Sequence, residues 1–272
     1  MTFLQRKSYD FGWGLASLVW PFFRKRRRLS VENILRSGVT ADPDEARRIA
    51  RNAFCHFAGH ICEALAVPSV VNKDNWREHF DFSEADPELA KVLFERPDMP
   101  ILIVSGHHGA WEAATSIVSL NRPMIAIVRM MDSKFLQKWL EKHHFRGAVT
   151  VVSKNDGFRE KVMRQWFEEK SAMTILMDQY TYGGSLLTFL GRPARTVTSA
   201  ARLAVKYGFP VAVGSFVRVG PFQYRAVAGK PIVFEKGTDR DVATQVLNDR
   251  LSDAIRKYPE QYLWMHRRWR DD

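Results

Sequence analysis

Cysteine is nearly missing from this chain: among 272 residues there are two, Cys55 and Cys62. On one helix they would stand two turns, about 10 Å, apart, beyond the reach of a disulfide. They read as buried thiols of a reducing, cytosol-facing protein. A G-x-S-x-G elbow, a Walker A loop and a Rossmann glycine fingerprint are all absent, so a serine hydrolase elbow and nucleotide binding lack support. Neither H-E-x-x-H nor H-x-x-E-H occurs, which argues against a zinc protease. No collagen-like period, low-complexity tract or internal repeat appears, excluding fibrous and solenoid architectures.

Acidic charge is also in short supply. Lys and Arg number 41 against 30 Asp and Glu, a net charge of +11, which fits nucleic acid, an anionic membrane or acidic soluble partners about equally. Hydrophobic residues at 46% and charged residues at 26% make a globular chain with a sizeable core. The apolar stretch Phe11–Phe23 runs straight into Arg24, Lys25, Arg26, Arg27 and Arg28. It is shorter than the roughly 20 residues a membrane-crossing helix needs, and the cations stand where a signal peptide would need a small-residue cleavage site. Two readings remain: a helix lying in the membrane interface with its cations on anionic head groups, or a hydrophobic helix docked on the protein's own core. Residues 1–29 are therefore set apart as a membrane-associating segment, and residues 30–272 as a single α/β domain.

Residues 30–66 read as two helices, the second starting at Asp42-Pro43-Asp44-Glu45 and presenting Ile49, Ala53, Phe54, Phe57, Ile61 and Leu65 at helical spacing until Pro68 ends it. Beyond residue 98, short apolar runs alternate with amphipathic segments. Strands are expected at Ile101–Val104, Met124–Val128, Val149–Val152, Ala172–Met177, Val211–Val217 and Phe222–Ala228. Helices are expected at Gly109–Leu120, Lys134–His144, Phe158–Lys170, Val197–Tyr207 and Asp239–Tyr258. This alternation predicts a mostly parallel central sheet flanked by helices, with ligands at the carboxyl ends of its strands.

The first strand ends in Ser105-Gly106-His107-His108-Gly109-Ala110-Trp111-Glu112. If His107 stays in the loop and a helix begins near Gly109, Glu112 can reach back to the imidazole, and a His held by a carboxylate is a competent general base. The helix N-terminus would favour a developing oxyanion. His108 and Glu112, four apart, are the alternative, a metal pair on one helix face. Other strand ends deliver Arg129, Asp178 with Gln179, and Arg218, while Arg146 precedes the third strand. The arginines are candidate grips for phosphate. The stretch Tyr180–Arg195 reads as a loop whose Leu186, Leu187, Phe189 and Leu190 either wall a lipid chain or tuck onto the core. With no nucleophile beside the base, the substrate itself would supply the attacking hydroxyl.

His107-x4-Glu112 resembles the H-x4-D/E motif of glycerolipid and lysophospholipid acyltransferases. More specifically, the chain resembles the lipid A biosynthesis acyltransferases, the lauroyl and myristoyl transferases. Further matches are Arg129 with Arg146-Gly147, Met177-Asp178-Gln179, Phe189-Leu190-Gly191-Arg192-Pro193-Ala194 with Thr196, and the closing Pro259–Trp269. The resemblance implies a glycerol-phosphate acyltransferase-like fold at the cytoplasmic face of the bacterial inner membrane, held peripherally or monotopically. It implies transfer of an acyl group, from acyl carrier protein or coenzyme A, to a hydroxyl of a glycolipid acceptor. His107 would be the base and Glu112 its orienting acid. Arg129, Arg146, Asp178, Gln179, Phe189, Gly191, Arg192, Thr196 and Arg218 would serve substrate binding. No metal, no cofactor beyond the donor thioester, no covalent acyl-enzyme and no nucleic acid are expected. The alternatives are an acyl-thioester hydrolase and a non-catalytic basic protein binding membrane or nucleic acid.

Overall fold

The computed structural model describes residues 2–96, 98–127, 149–152 and 158–270. The leading helices are α1 (Phe3–Arg6), α2 (Ser8–Val19), α3 (Arg24–Arg36) and α4 (Pro43–Val70). A 3₁₀ turn, Trp20–Phe22, carries Pro21 between α2 and α3. At the head of α4 the Asp42 carboxylate accepts the Asp44 amide at 2.9 Å, with Pro43 in the first turn, the capping chemistry read from the sequence. Pro68 does not end α4 as expected. It sits in the last turn, and the helix runs on to Val70, because only the bond to the Ala64 carbonyl is lost there. The boundary drawn after residue 29 falls inside α3.

Next come β1 (Phe80–Asp81), α5 (Pro87–Ala90), β2 (Ile101–Ser105), α6 (Trp111–Val118), β3 (Met124–Ile127), β4 (Val149–Val152), α7 (Phe158–Glu168) and β5 (Ala172–Leu176). The chain continues through β6 (Ser185–Phe189), β7 (Arg192–Thr196), α8 (Ser199–Tyr207), β8 (Val211–Gly220), β9 (Gln223–Ala228) and α9 (Arg240–Lys257). Among the described residues the main sheet runs in the order β1-β9-β8-β2-β5-β3-β4. Every neighbouring pair is parallel except β8 with β9. The mostly parallel α/β architecture is thus present. The expected helix over Lys134–His144 lies outside the described residues.

Both faces of the sheet are covered, which is why its strands are continuously apolar. Leu102 and Val104 of β2 point into a core shared with Val162 and Trp166 of α7, Ala201 and Ala204 of α8, and Leu247 and Leu251 of α9. Ile101, Met124 and Ala212 face the other way, against Ala113, Ile117 and Val118 of α6. Trp166 is wholly buried and donates its indole N–H to the Ile101 carbonyl at 3.0 Å, so an apolar ring worth roughly 3 kcal/mol of burial leaves no polar atom stranded.

The stretch Tyr180–Arg195, read as a loop, is instead largely a β-hairpin. β6 and β7 pair antiparallel about a turn at Leu190 and Gly191, both in the left-handed region. Phe189 and Leu190 are buried while Leu186 is 64% exposed, so only part of this apolar row faces outward.

The two readings of Phe11–Phe23 turn out to be compatible. Gly12, Ala16 and Trp20 face inward and are buried. Phe11, Leu15, Leu18 and Phe22 form a second stripe on the outside, 71%, 54%, 73% and 83% exposed. Arg24 to Arg28 follow in the exposed first turns of α3. Cys55 is buried on α4, whereas Cys62 is only partly so, and both thiols are free.

Candidate active site

β2 and β5 lie side by side in parallel register, Ser105 opposite Leu176. The residues just past their ends, Gly106-His107 and Asp178, therefore meet at the carboxyl edge of the sheet. A Cβ on Gly106 would stand 3.0 Å from the Asp178 carboxyl carbon, so glycine lets this loop pass without displacing the carboxylate. Asp178, 2% exposed, holds His107 twice: one oxygen accepts the backbone N–H and the other meets Nδ1, both at 2.9 Å. A carboxylate at Nδ1 makes that nitrogen the proton carrier and leaves a lone pair on Nε2.

Burial works against a charged imidazole here, but the Asp178 charge and hydrogen bond, with Glu112 beyond, outweigh it and raise the His107 pKa above 6.5. Burial likewise disfavours the Asp178 anion, yet His107 and the Arg268 cation bring its pKa below the ordinary carboxylate value. Tyr262 is buried beside Asp178, and burial followed by that negative charge pushes its phenol pKa well up. The Gln179 side-chain nitrogen lies 3.3 Å from His107 Nε2. The Trp111 ring meets the imidazole edge-on at 5.3 Å.

The loop is braced from behind by the C-terminal segment. Leu263 N–H donates to the His107 carbonyl and Gly109 N–H to the Gln261 carbonyl, each at 3.0 Å. Gly109 has φ +69, and a Cβ there would lie 2.2 Å from the Phe216 carbonyl oxygen, so glycine is required on both counts. The backbone N–H groups of residues 107 to 110 are all engaged, by Asp178, Gly106, Gln261 and Phe216 in turn. These four amides are therefore spent within the protein and lie before the first turn of α6, which starts at Trp111.

A cavity of about 940 Å³ opens at His107, Glu112, Gln179 and Tyr180. It is lined further along by Ile103, Ala114, Val118, Met124, Ala126 and Ala212, and reaches Leu89 and Leu93. A basic nitrogen thus sits at the mouth of a deep apolar groove, near the upper end of small-molecule site sizes, about 1,000 Å³.

Asp178, rather than Glu112, is the acid that holds the imidazole. Glu112 lines the cavity and acts on His107 through its charge. The adjacency of β2 and β5, which no local pattern encodes, brings Asp178 in. His108 serves structure: it is fully buried, with Nε2 2.9 Å from the Tyr258 carbonyl and Nδ1 2.8 Å from Ser215 Oγ. Its burial pushes its pKa down to about 4, and both ring nitrogens are taken by protein partners, so it does not form with Glu112 the metal pair considered from spacing.

Arg218, expected on a substrate anion, is instead spent within the protein. Its Nη2 lies 2.9 Å from buried Glu63, which also accepts the Tyr224 hydroxyl at 3.0 Å. Phe189, Gly191, Arg192 and Thr196 are not among the residues lining the cavity either. They build the β6–β7 hairpin, with Arg192 stacked over Trp269 at 4.6 Å and Thr196 accepting from Arg268 at 2.6 Å. Gln179 does reach the imidazole. Arg129 and Arg146 lie outside the described residues.

One cluster had no reading in the sequence. Glu63, His56 and His60 share the buried face of α4; polar residues four and three apart in line with Ala53 and Val67 are the signal that could have found them. Compared with known families, residues 5–271 match the profile described as bacterial lipid A biosynthesis acyltransferase. No curated protein matches the chain.

Proposed function

The chain belongs to the bacterial lipid A biosynthesis acyltransferase family, and on that premise we propose that it moves a fatty acyl chain from a thioester to a hydroxyl of a glycolipid acceptor, with His107 as general base and Asp178 as the acid that orients it. The family makes the protein a membrane-associated acyltransferase of the lipid A type. The cytoplasmic face of the inner membrane, the donor carrier and the residue roles belong to the proposal. The observation that carries it is the His107–Asp178 pair at the mouth of the apolar groove.

The acyl chain lies in the groove with its thioester carbonyl near Nε2. The acceptor hydroxyl attacks that carbonyl while Nε2 takes its proton, and Asp178 steadies the imidazolium that forms. Collapse of the tetrahedral adduct breaks the carbon–sulfur bond. The proton passes from His107 to the departing sulfur, so a thioester and an alcohol become an ester and a thiol. Gln179 is placed to orient a group at Nε2. The outward stripe Phe11, Leu15, Leu18 and Phe22 with the Arg24–Arg28 cations suits an anionic bilayer that delivers the acceptor.

Replacing His107 with Ala is expected to cut transfer from lauroyl-coenzyme A to a glycolipid extract by at least about 100-fold while circular dichroism is unchanged. Retained turnover would overturn the base assignment. Stoichiometric release of free fatty acid with the acceptor present would make water the acceptor and the enzyme a thioester hydrolase.

A further inference from the structure

We infer that Tyr9 and His56 are positioning residues for the His107 loop, tying the outer helix α2 to the catalytic end of the sheet; this deepens the acyl-transfer reading and rests on it. Tyr9 lies on α2 and its hydroxyl is 3.0 Å from His56 Nδ1. His56 Nε2 lies 3.2 Å from the Gly109 carbonyl. A carbonyl only accepts, so Nε2 carries the proton and Nδ1 accepts from the Tyr9 hydroxyl. Burial, the first cause, drives the His56 pKa down to about 3, which keeps the ring neutral and this donor order intact.

Gly109 is thereby pinned from two sides, its carbonyl by His56 and its N–H by Gln261. It stands two residues after the proposed base and two before α6 begins, where a shift would turn the imidazole. The Tyr9 ring also covers the Arg218 guanidinium at 3.6 Å. Arg218 is locked by Glu63, and Gln261 brackets its backbone N–H and carbonyl, both at 2.9 Å. Tyr9 thus touches one support of the loop, His56, directly and reaches the other, Gln261, through Arg218. A second line of contacts runs beside it: His56 stacks on His60 at 6.0 Å, His60 meets Trp111 at 4.5 Å, and Trp111 meets His107.

The helices come close enough for this because small residues face each other. A Cβ on Gly12 would meet the Ala58 carbonyl oxygen at 2.5 Å, and one on Gly59 would meet the Tyr9 ring at 2.9 Å. The other side of α2 is the exposed apolar stripe. One helix therefore faces outward on one side and holds the site loop on the other, so engagement of α2 by a membrane bears on the geometry of catalysis.

The test uses the full chain. Tyr9→Phe keeps the ring over Arg218 and removes only the hydroxyl; His56→Leu removes both hydrogen bonds; His56→Gln restores a donor toward Gly109. With lauroyl-coenzyme A and glycolipid acceptor, Tyr9→Phe and His56→Leu are expected to lower kcat about tenfold with KM unchanged, since small misplacements of reacting groups cost rate. His56→Gln is expected to recover most of the loss. The Tyr9→Phe/His56→Leu double variant is expected to be no worse than His56→Leu alone. Amide exchange at Gly109 and Ala110 is expected to speed up in both single variants while the amides of β2 keep wild-type protection.

Unchanged kcat and exchange, additive losses, or exchange quickened uniformly across the sheet would overturn the inference. The His107→Ala variant separates the two proposals. If it keeps turnover, the assignment of His107 as base fails, and loop exchange in Tyr9→Phe still decides whether Tyr9 positions Gly109.

Discussion

At the scale of single residues, His107 and Asp178 have opposite titration behaviour that fixes a pH signature. The base works when neutral. Because Asp178 and Glu112 raise its pKa against the pull of burial, the acidic limb of kcat/KM is expected above the ordinary histidine value of about 6.5. Asp178→Asn removes the partner at 2.9 Å and is expected to move that limb to lower pH and to reduce kcat by at least about 100-fold, through loss of the tautomer and of imidazolium stabilisation. Glu112→Gln removes only a more distant charge and is expected to shift the limb the same way with most of kcat retained. Equal losses in the two variants, read from the pH profiles, would assign Glu112 a contact role after all. The same pair sets a stability window. The lowered Asp178 pKa contributes above the unfolded carboxylate value and fades as pH falls through the folded one. The raised His107 pKa contributes below the unfolded imidazole value and fades as pH rises through its folded one. The ion pair therefore supports the fold most between those limits.

At the scale of elements, α2 is apolar on two sides, and its outer stripe needs a partner of its own. Leu18→Asp with Phe22→Asp puts two carboxylates on that stripe without touching Gly12, Ala16 or Trp20, which pack inward. Co-sedimentation with vesicles containing anionic lipid is expected to fall at least about tenfold while the melting temperature holds, and binding by the unaltered chain is expected to weaken with salt. A lost fold would mean the stripe is covered within the protein. Much at this scale was legible beforehand. Ile101–Val104, Val149–Val152 and Ala172–Met177 are apolar runs too short for helices, and Asp42-Pro43 and the left-handed Gly208 announce where α4 starts and α8 stops. The β6–β7 hairpin was not legible, because its turn uses Leu190 at positive φ, a position where leucine gives no warning. Nor was the pairing of His107 with Asp178. Each residue was marked as a strand end, but which strands adjoin is decided by packing of the whole sheet. His56, His60 and Glu63 were hidden for the converse reason: polar residues on a buried helix face break the pattern from which burial is read.

For the molecule as a whole, the order of the sheet creates both the chemistry and the space beside it. β2, β5 and β8 bring their ends together, and α6 stands off their far sections enough to leave a groove. Its lining runs from Ser105 and His107 to Met124, and Met124 is level with Ala172 and so with Ile101 at the start of β2. The four strand steps from Ile101 to Ser105 advance roughly 13 Å. The small side chains Ala114, Ala126 and Ala212 keep that length open. Ala114 projects from the middle of α6, between Trp111 near the imidazole and Val118 at the deep end, so a large group there divides the groove without approaching His107. Ala114→Phe is accordingly expected to reduce kcat/KM for lauroyl-coenzyme A by at least about tenfold, since each methylene denied burial costs about 1 kcal/mol or more. It is expected to leave kcat/KM for a butyryl thioester within about twofold. Competition between the two thioesters in one reaction mixture reads the ratio directly. An unchanged ratio would mean that the fatty chain follows another path, whereas equal losses on both would mean that the substitution had disturbed the imidazole instead of shortening the groove.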